Sequence, residues 1–206
     1  MTDHAPAPET APIRSYKRRG SRVTAGQQRA LDALADRFVL GADVRDVTAA
    51  FERPAPVVLE IGFGMGETTA AMAAADPGTN VVAVDVHTPG VGALLAEIQE
   101  RGLANVRLVS DDAVPLLRDR VPDDALAGIR VYFPDPWPKS RHHKRRLIGR
   151  PFADLAAAKL RPGGLLHCAT DWSAYAEWIV DVLGGDERFD VEVLPGRPPW
   201  RPVTRF

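Results

Sequence analysis

Apolar and polar positions follow two rhythms along this chain, and the rhythms alternate. Short β-branched runs at 57–62 (VVLEIG), 81–86 (VVAVDV), 106–111 (VRLVSD) and 129–134 (IRVYFP) lack strict polar alternation, as strands do when a parallel sheet is buried on both faces. Between them the spacing turns helical. Residues 66–75 are Ala-rich; Val91, Leu94, Leu95 and Ile98 share a face within 91–101, and Leu147, Phe152, Leu155 and Leu160 do so within 144–160. Ahead of the first strand, Leu31, Leu34, Phe38 and Val39 mark a helical stretch over 25–52, which Pro54 and Pro56 end because a prolyl nitrogen carries no proton to donate. Residues 164–170 (GLLHCAT) read as a fifth strand and Ser173 to Leu183 as a helix. FDVEVL (189–194) and RPVTRF (201–206) read as a terminal antiparallel hairpin.

Strand and helix in turn predict right-handed crossovers and an open α/β sheet with helices on both faces. Five parallel strands plus the hairpin make a single-domain, Rossmann-like, mostly parallel sheet of seven strands, whose ligands bind beyond the carboxyl ends of the strands. Residues 1–13 hold Pro, Ala, Thr and acids without periodicity, too little apolar surface to offset the entropy of ordering. We therefore expect 1–22 to be a disordered basic tail and 23–206 to be the domain.

Composition narrows this further. With 206 residues, 45% of them hydrophobic, the chain can bury one sizeable core. No apolar stretch approaches the roughly 20 residues that cross a bilayer, and the basic run near the N-terminus has no apolar segment of the kind a secretory signal needs. A cytoplasmic protein with no membrane partner is expected, as a monomer or a homodimer. Cys168 is the lone cysteine, unable to form an internal disulfide or a thiolate metal cluster, and reads as a small core residue; no metal is expected. The net charge of −1 conceals two basic clusters. One holds Arg14, Lys17, Arg18, Arg19 and Arg22; the other holds Lys139, Arg141, Lys144, Arg145 and Arg146 around His142 and His143. Either could be a solvated face or a polyanion contact.

The first strand turns into the first sheet helix through Glu60-Ile-Gly62-Phe-Gly64-Met-Gly66-Glu67. Glycines there permit positive φ and close approach of a ligand to the backbone. A dinucleotide site usually spaces its glycines G-x-G-x-x-G, and the third position here is Glu67, whose carboxylate would repel a diphosphate. S-adenosylmethionine has no phosphate and carries a sulfonium and an ammonium, so an acidic rim that includes Glu60 favours it. Asp85 at the second strand end can accept from ribose hydroxyls, and Asp112 at the third from an adenine amine. Taken singly, each acid caps a helix equally well; the ordered set points to a nucleoside cofactor.

The fourth strand runs into Tyr132-Phe133-Pro134-Asp135-Pro136-Trp137-Pro138-Lys139-Ser140-Arg141-His142-His143-Lys144-Arg145-Arg146. Prolines stiffen the loop around Asp135 and hold a carboxylate in place. PDPWPKSRHHKRR, EIGFGMG, DVHTPG (85–90), TDWSAYA (170–176) and RPVTRF together resemble the bacterial tRNA (guanine-N7-)-methyltransferases over residues 55–206. The resemblance implies the class I methyltransferase fold and methyl transfer from S-adenosylmethionine to N7 of guanine 46 in the tRNA variable loop. It implies cofactor contacts at Glu60, Asp85, Asp112 and Asp135, with Asp135 also catalytic. Substrate contacts would fall at Lys139, Asp171 and Thr204, and RNA contacts at Arg141, His142, His143, Lys144, Arg145 and Arg146. The family continues past its RPVTRF equivalent with an E-x-R-G-like segment whose Glu joins the substrate contacts, a position that would follow Phe206.

The chemistry suits these residues. Guanine N7 has a free lone pair and needs no strong base, and a fixed carboxylate stabilises the cation that develops on the imidazole ring. Asp135 and Asp171 are both candidates for that role and for accepting from guanine N1–H and N2–H. Trp137 and Trp172 could stack on a splayed base or anchor the loops. Rival readings are a methyltransferase of this fold acting on another RNA, a protein or a small molecule, and a noncatalytic RNA-binding module.

Overall fold

The computed structural model describes residues 15, 16 and 22–203. Five strands, β1 (Val57–Ile61), β2 (Asn80–Val84), β3 (Val106–Val109), β4 (Leu126–Tyr132) and β5 (Leu160–Ala169), form one sheet in the order β3-β2-β1-β4-β5, every neighbouring pair parallel. The chain steps outward from β1 to β3, then returns to place β4 on the other side of β1. That reversal opens a crevice beyond the carboxyl ends of β1 and β4, where open α/β sheets bind their ligands.

Helices α1 (Ala25–Phe38), α2 (Glu67–Ala75) and α3 (Thr88–Arg101) cover one face; α4 (Ala113–Arg120), α5 (Arg150–Lys159) and α6 (Ser173–Gly184) cover the other. β1 and β2 are buried along their whole lengths, which is why their sequences lack a polar alternation. Alternate residues feed separate cores. Leu59, Val82, Ile129 and Val131 pack with Leu116, Phe152 and Ile179, while Val81, Ala83 and Leu108 pack with Leu94, Leu95 and Ile98. Each fully buried Leu or Ile contributes roughly 1.5–3 kcal/mol, so the two layers hold the sheet between them.

Local signals start and stop the helices. Thr24 and Gln27 form a reciprocal capping box at α1, with Thr24 Oγ1 accepting from Gln27 N at 3.3 Å and Gln27 Oε1 from Thr24 N at 2.8 Å. Pro89 lies in the first turn of α3, and Gly102 ends that helix at φ 63°.

Several expectations are corrected. The helix expected over 25–52 stops at Phe38, because Val39 bridges Leu108 and Leu40 N donates to Leu108 O at 2.8 Å, covering the outer edge of β3. The helix expected over 144–160 divides into a 3₁₀ segment, Ser140–Arg145, and α5, which opens at Arg150-Pro151. α4 was not anticipated. β5 begins at Leu160 and bulges, so that Leu126 pairs with Leu160 and Gly128 already pairs with Leu165. The terminal hairpin is not seen among the described residues: 189–194 carry no strand, 204–206 of its second arm lie outside the described residues, and the described sheet has five strands rather than seven. Pro195, Pro198, Pro199 and Pro202 follow that stretch and remove ladder donors from the segment that would have paired with it. Residues 1–14, 17–21 and 204–206 lie outside the described residues, and with them Arg14, Lys17, Arg18, Arg19 and Thr204. Among the described residues no helix is long and apolar enough to cross a membrane.

Candidate active site

Between β1 and α2 the chain reverses over residues 62–66, with Gly62, Gly64 and Gly66 at φ 78°, 59° and 81°. A Cβ is costly at such angles, so glycine is required for the turn to exist. Asp85, at the end of β2, clamps it: Oδ2 accepts from Gly64 N at 2.9 Å and Oδ1 from His87 N at 3.0 Å. Burial pushes the Asp85 carboxyl up from its ordinary value, and the two backbone N–H groups oppose that rise. Gly90, in the first turn of α3, is a further requirement: a Cβ there would stand 1.9 Å from the Gly64 carbonyl oxygen.

The turn forms one wall of a cavity of about 780 Å³ at the crevice between β1 and β4. The opposite wall is Tyr132, Phe133, Pro134 and Asp135, and Asp111 and Ala113 close the β3 side. Of the positions expected to hold a cofactor, Gly62, Gly64, Asp85 and Asp135 line it; Glu60, Gly66 and Asp112 do not. Three aspartates and no Lys or Arg are found in the described lining. Ser15 and Tyr16 also line it, so part of the segment expected to be a disordered tail is placed at the cavity.

Each of the three displaced residues has a structural task. Glu60 is buried under the turn, accepting from Thr69 Oγ1 at 2.7 Å and standing 3.8 Å from Arg130 Nη1. It ties β1 to α2, and burial pushes its carboxyl up while Thr69 and Arg130 pull it back. Gly66 lets α3 pack close, since a Cβ would meet Leu94 Cβ at 2.6 Å. Asp112 is the N-cap of α4, accepting from Val114 N at 3.0 Å. Its neighbour Asp111 faces the cavity.

The loop after β4 is held under strain. Phe133 and Trp137 adopt φ 50° and 45° on either side of Pro134-Asp135-Pro136, a left-handed conformation that costs a non-glycine residue about 1–2 kcal/mol. Trp137 is buried, and its Nε1 donates to Ser15 O at 3.0 Å; it anchors the loop, and its indole is not available as a stacking platform. Trp172, at the N-cap of α6, is 43% exposed and keeps that option.

The basic stretch separates into two kinds of residue. Lys139, Arg141, Lys144 and Arg145 are exposed, with Arg145 set 5.0 Å over the Trp137 ring. His142 and His143 are half-buried: His142 accepts from Arg141 Nε at 3.3 Å, and His143 lies 3.2 Å from Arg146 Nη2. Arg146, also expected to contact RNA, is only 7% exposed and lies over Tyr175 and Trp178. Asp171 is exposed at the entrance to α6 and, like Lys139, lies outside the described cavity lining.

Sequence reading also missed a cluster on the polar side of β4 and β5. Tyr132 Oη lies 2.9 Å from His167 Nδ1, Trp200 packs on His167 at 4.8 Å, and buried Arg201 sits over Tyr132 and Phe133 at 5.3 and 5.5 Å. Burial, with the charges of Arg201 and Arg130, pushes the His167 imidazole down to about 4 and keeps it neutral near pH 7. The adjacent Cys168 is pushed up to about 12 by burial and is an inert thiol, as its place in an apolar run suggested.

Glu67 opens α2, where a dinucleotide site would set its diphosphate against backbone N–H groups, and three aspartates line the crevice; both are unfavourable to a diphosphate and place the chain among the methyltransferases of open α/β fold. Comparison with known proteins is specific. Residues 54–205 match the family described as "Putative methyltransferase". A tRNA (guanine-N(7)-)-methyltransferase of Streptomyces avermitilis is 56% identical over 200 residues, 94% of this chain and 69% of the relative. Its counterparts in Streptomyces coelicolor (55%; 94% of this chain, 74% of the relative) and Bordetella pertussis (49%; 99% and 82%) are similar over comparable spans. The chain belongs to the bacterial tRNA (guanine-N(7)-)-methyltransferase family.

Proposed function

We propose that this chain transfers a methyl group from S-adenosylmethionine to N7 of a guanosine in tRNA, at position 46 of the variable loop, and that it acts in the cytoplasm. The observation that carries the reading is the cavity at the strand switch point, with Asp85, Asp111 and Asp135 around it and no cation in its described lining. Those carboxylates suit a ligand that carries a sulfonium and an ammonium, and the volume lies within the range of small-molecule sites. The relatives' shared activity supplies the acceptor.

Bound S-adenosylmethionine supplies an electrophilic methyl carbon. With it bound, the guanine N7 lone pair would form the new C–N bond as the S–C bond broke, positive charge would pass to the imidazole ring, and no proton would need to leave. The protein's part is placement and electrostatics. Asp85 spends one lone pair of each oxygen on Gly64 and His87, and its remaining lone pairs would accept from the ribose hydroxyls. Asp135, held between two prolines on a strained loop, faces the developing cation. Asp171 accepts from guanine N1–H and N2–H, which adenine cannot offer, and Lys139 and Thr204 complete the base contacts. Arg141, Lys144 and Arg145 form an exposed cationic strip for the RNA backbone, where each phosphate contact adds salt-dependent affinity.

Incubation of bulk tRNA with methyl-labelled S-adenosylmethionine, followed by cleavage selective for 7-methylguanine, tests the activity. Label at 7-methylguanine is expected, and a transcript lacking guanosine 46 should remain unlabelled. Absence of label from bulk tRNA, or label on another base, overturns the reading.

A further inference from the structure

A buried arginine calls for a partner of opposite charge, and Arg146 has none: no ion pair among the described residues involves it. None of its partners is a carboxylate, and they come from three segments. Nε donates to Pro136 O at 3.0 Å, Nη1 reaches Ala174 O at 3.5 Å, and Nη2 lies 3.2 Å from His143 Nε2. The flat face of the guanidinium lies over Tyr175 at 5.0 Å and Trp178 at 5.1 Å, both on α6. Tyr175 is itself fixed, fully buried with its hydroxyl accepting from Ile148 N at 3.1 Å, and Trp178 Nε1 donates to Ile148 O at 2.7 Å.

We infer that Arg146 is the positioning residue that sets the loop after β4 and the start of α6 in register, and thereby holds Asp135 and Asp171 at their working separation. Pro136 follows Asp135 directly in the chain, and Ala174 lies three residues after Asp171. One planar group touching both carbonyls transmits any displacement of one segment to the other. A rigid fork with donors on several sides is the geometry arginine offers and lysine does not. A hydrophobic side chain of similar volume would fill the space without the desolvation cost of a buried cation, so its three directed contacts are what the charge contributes. The inference rests on the proposed transfer to guanine for its kinetic consequence, though not for its structural one.

The structural consequence is read without RNA. Hydrogen exchange on the full chain, comparing wild type with Arg146→Lys, should show residues 133–137 and 171–176 accelerated together while the glycine turn is unchanged. Acceleration of one segment alone, or of neither, overturns the coupling. The kinetic consequence is read by a double-mutant cycle in single-turnover methylation. Arg146→Lys should lower the rate tenfold or more with unchanged cofactor affinity and unchanged salt dependence of tRNA binding. Asp171→Asn should then cost less in the Arg146→Lys background than in the wild type. Additive effects, or a flattened salt slope with a normal chemical step, overturn the positioning role. If wild type exchanges as expected but labels no tRNA, the proposed function fails while the register role stands.

Discussion

The two walls of the cavity are built by different means. On the cofactor wall the backbone does the shaping: three glycines turn the chain, Asp85 clamps two N–H groups, and Gly90 keeps α3 clear of the Gly64 carbonyl. All of this lies within one β-α-β-α stretch. On the acceptor wall, groups from other segments do the shaping: the Ser15 carbonyl holds Trp137, the Arg146 guanidinium ten residues on holds Pro136, and Arg201 lies over Tyr132 and Phe133. The cofactor wall is local and rigid in the way any tight turn is. The acceptor wall borrows its rigidity from the completed fold, which lets a loop carry two aromatic residues in the left-handed region around a carboxylate.

Substitutions should separate the walls. The largest effect is expected at Asp135 on the acceptor wall: Asp135→Asn keeps the fold and loses at least about two orders of magnitude in single-turnover rate, the magnitude typical of a lost electrostatic group. A near-normal chemical step would make the residue a loop stiffener. On the cofactor wall, Asp85→Ala should weaken S-adenosylmethionine binding by about 1.5–3 kcal/mol in calorimetry, with NAD showing no binding to either form. Gly90→Ala forces a Cβ against Gly64, and we expect a loss of about 1–3 kcal/mol in urea unfolding, accompanied by weaker cofactor binding. Stability equal to wild type would mean that α3 shifts freely. Replacing Arg141 and Lys144 together by Ala should flatten the salt dependence of tRNA binding by about two units of slope and leave cofactor affinity untouched. The smallest effect belongs to Asp112→Ala, which removes a cap worth about 1 kcal/mol and should leave cofactor affinity unchanged; a large loss of affinity would return Asp112 to the site.

Much of this was legible in one dimension where the physics is local. The runs at 57–62 and 81–86 read as buried strands because both faces of the sheet are covered, and the glycine turn with Asp85 could be read because turn chemistry and strand ends are short-range. Reading became ambiguous where neighbours compete for one role. Asp111 and Asp112 are equivalent in sequence, yet the helix that starts between them and Ala113 takes Asp112 as its cap and leaves Asp111 to the cavity. Glu60 sits at the expected strand end, but the pleat turns its side chain under the turn toward Thr69. The basic run from Lys139 to Arg146 has uniform chemistry, and nothing in its composition marks the last arginine as the buried one.

The sequence by itself determined the order of the five strands, the glycine turn, the acids at the strand ends and the motifs that identify the family, because each depends on residues close together along the chain. The tertiary structure alone decided which of those acids faces the cavity, that Arg146 and Trp137 are buried, that Ser15 and Tyr16 reach the site, and that residues 189–194 form no strand. Burial and partnership are properties of the packed chain: a charge or a ring has the same covalent structure on the surface and in the interior, and only the side chains brought against it from elsewhere in the sequence set its role.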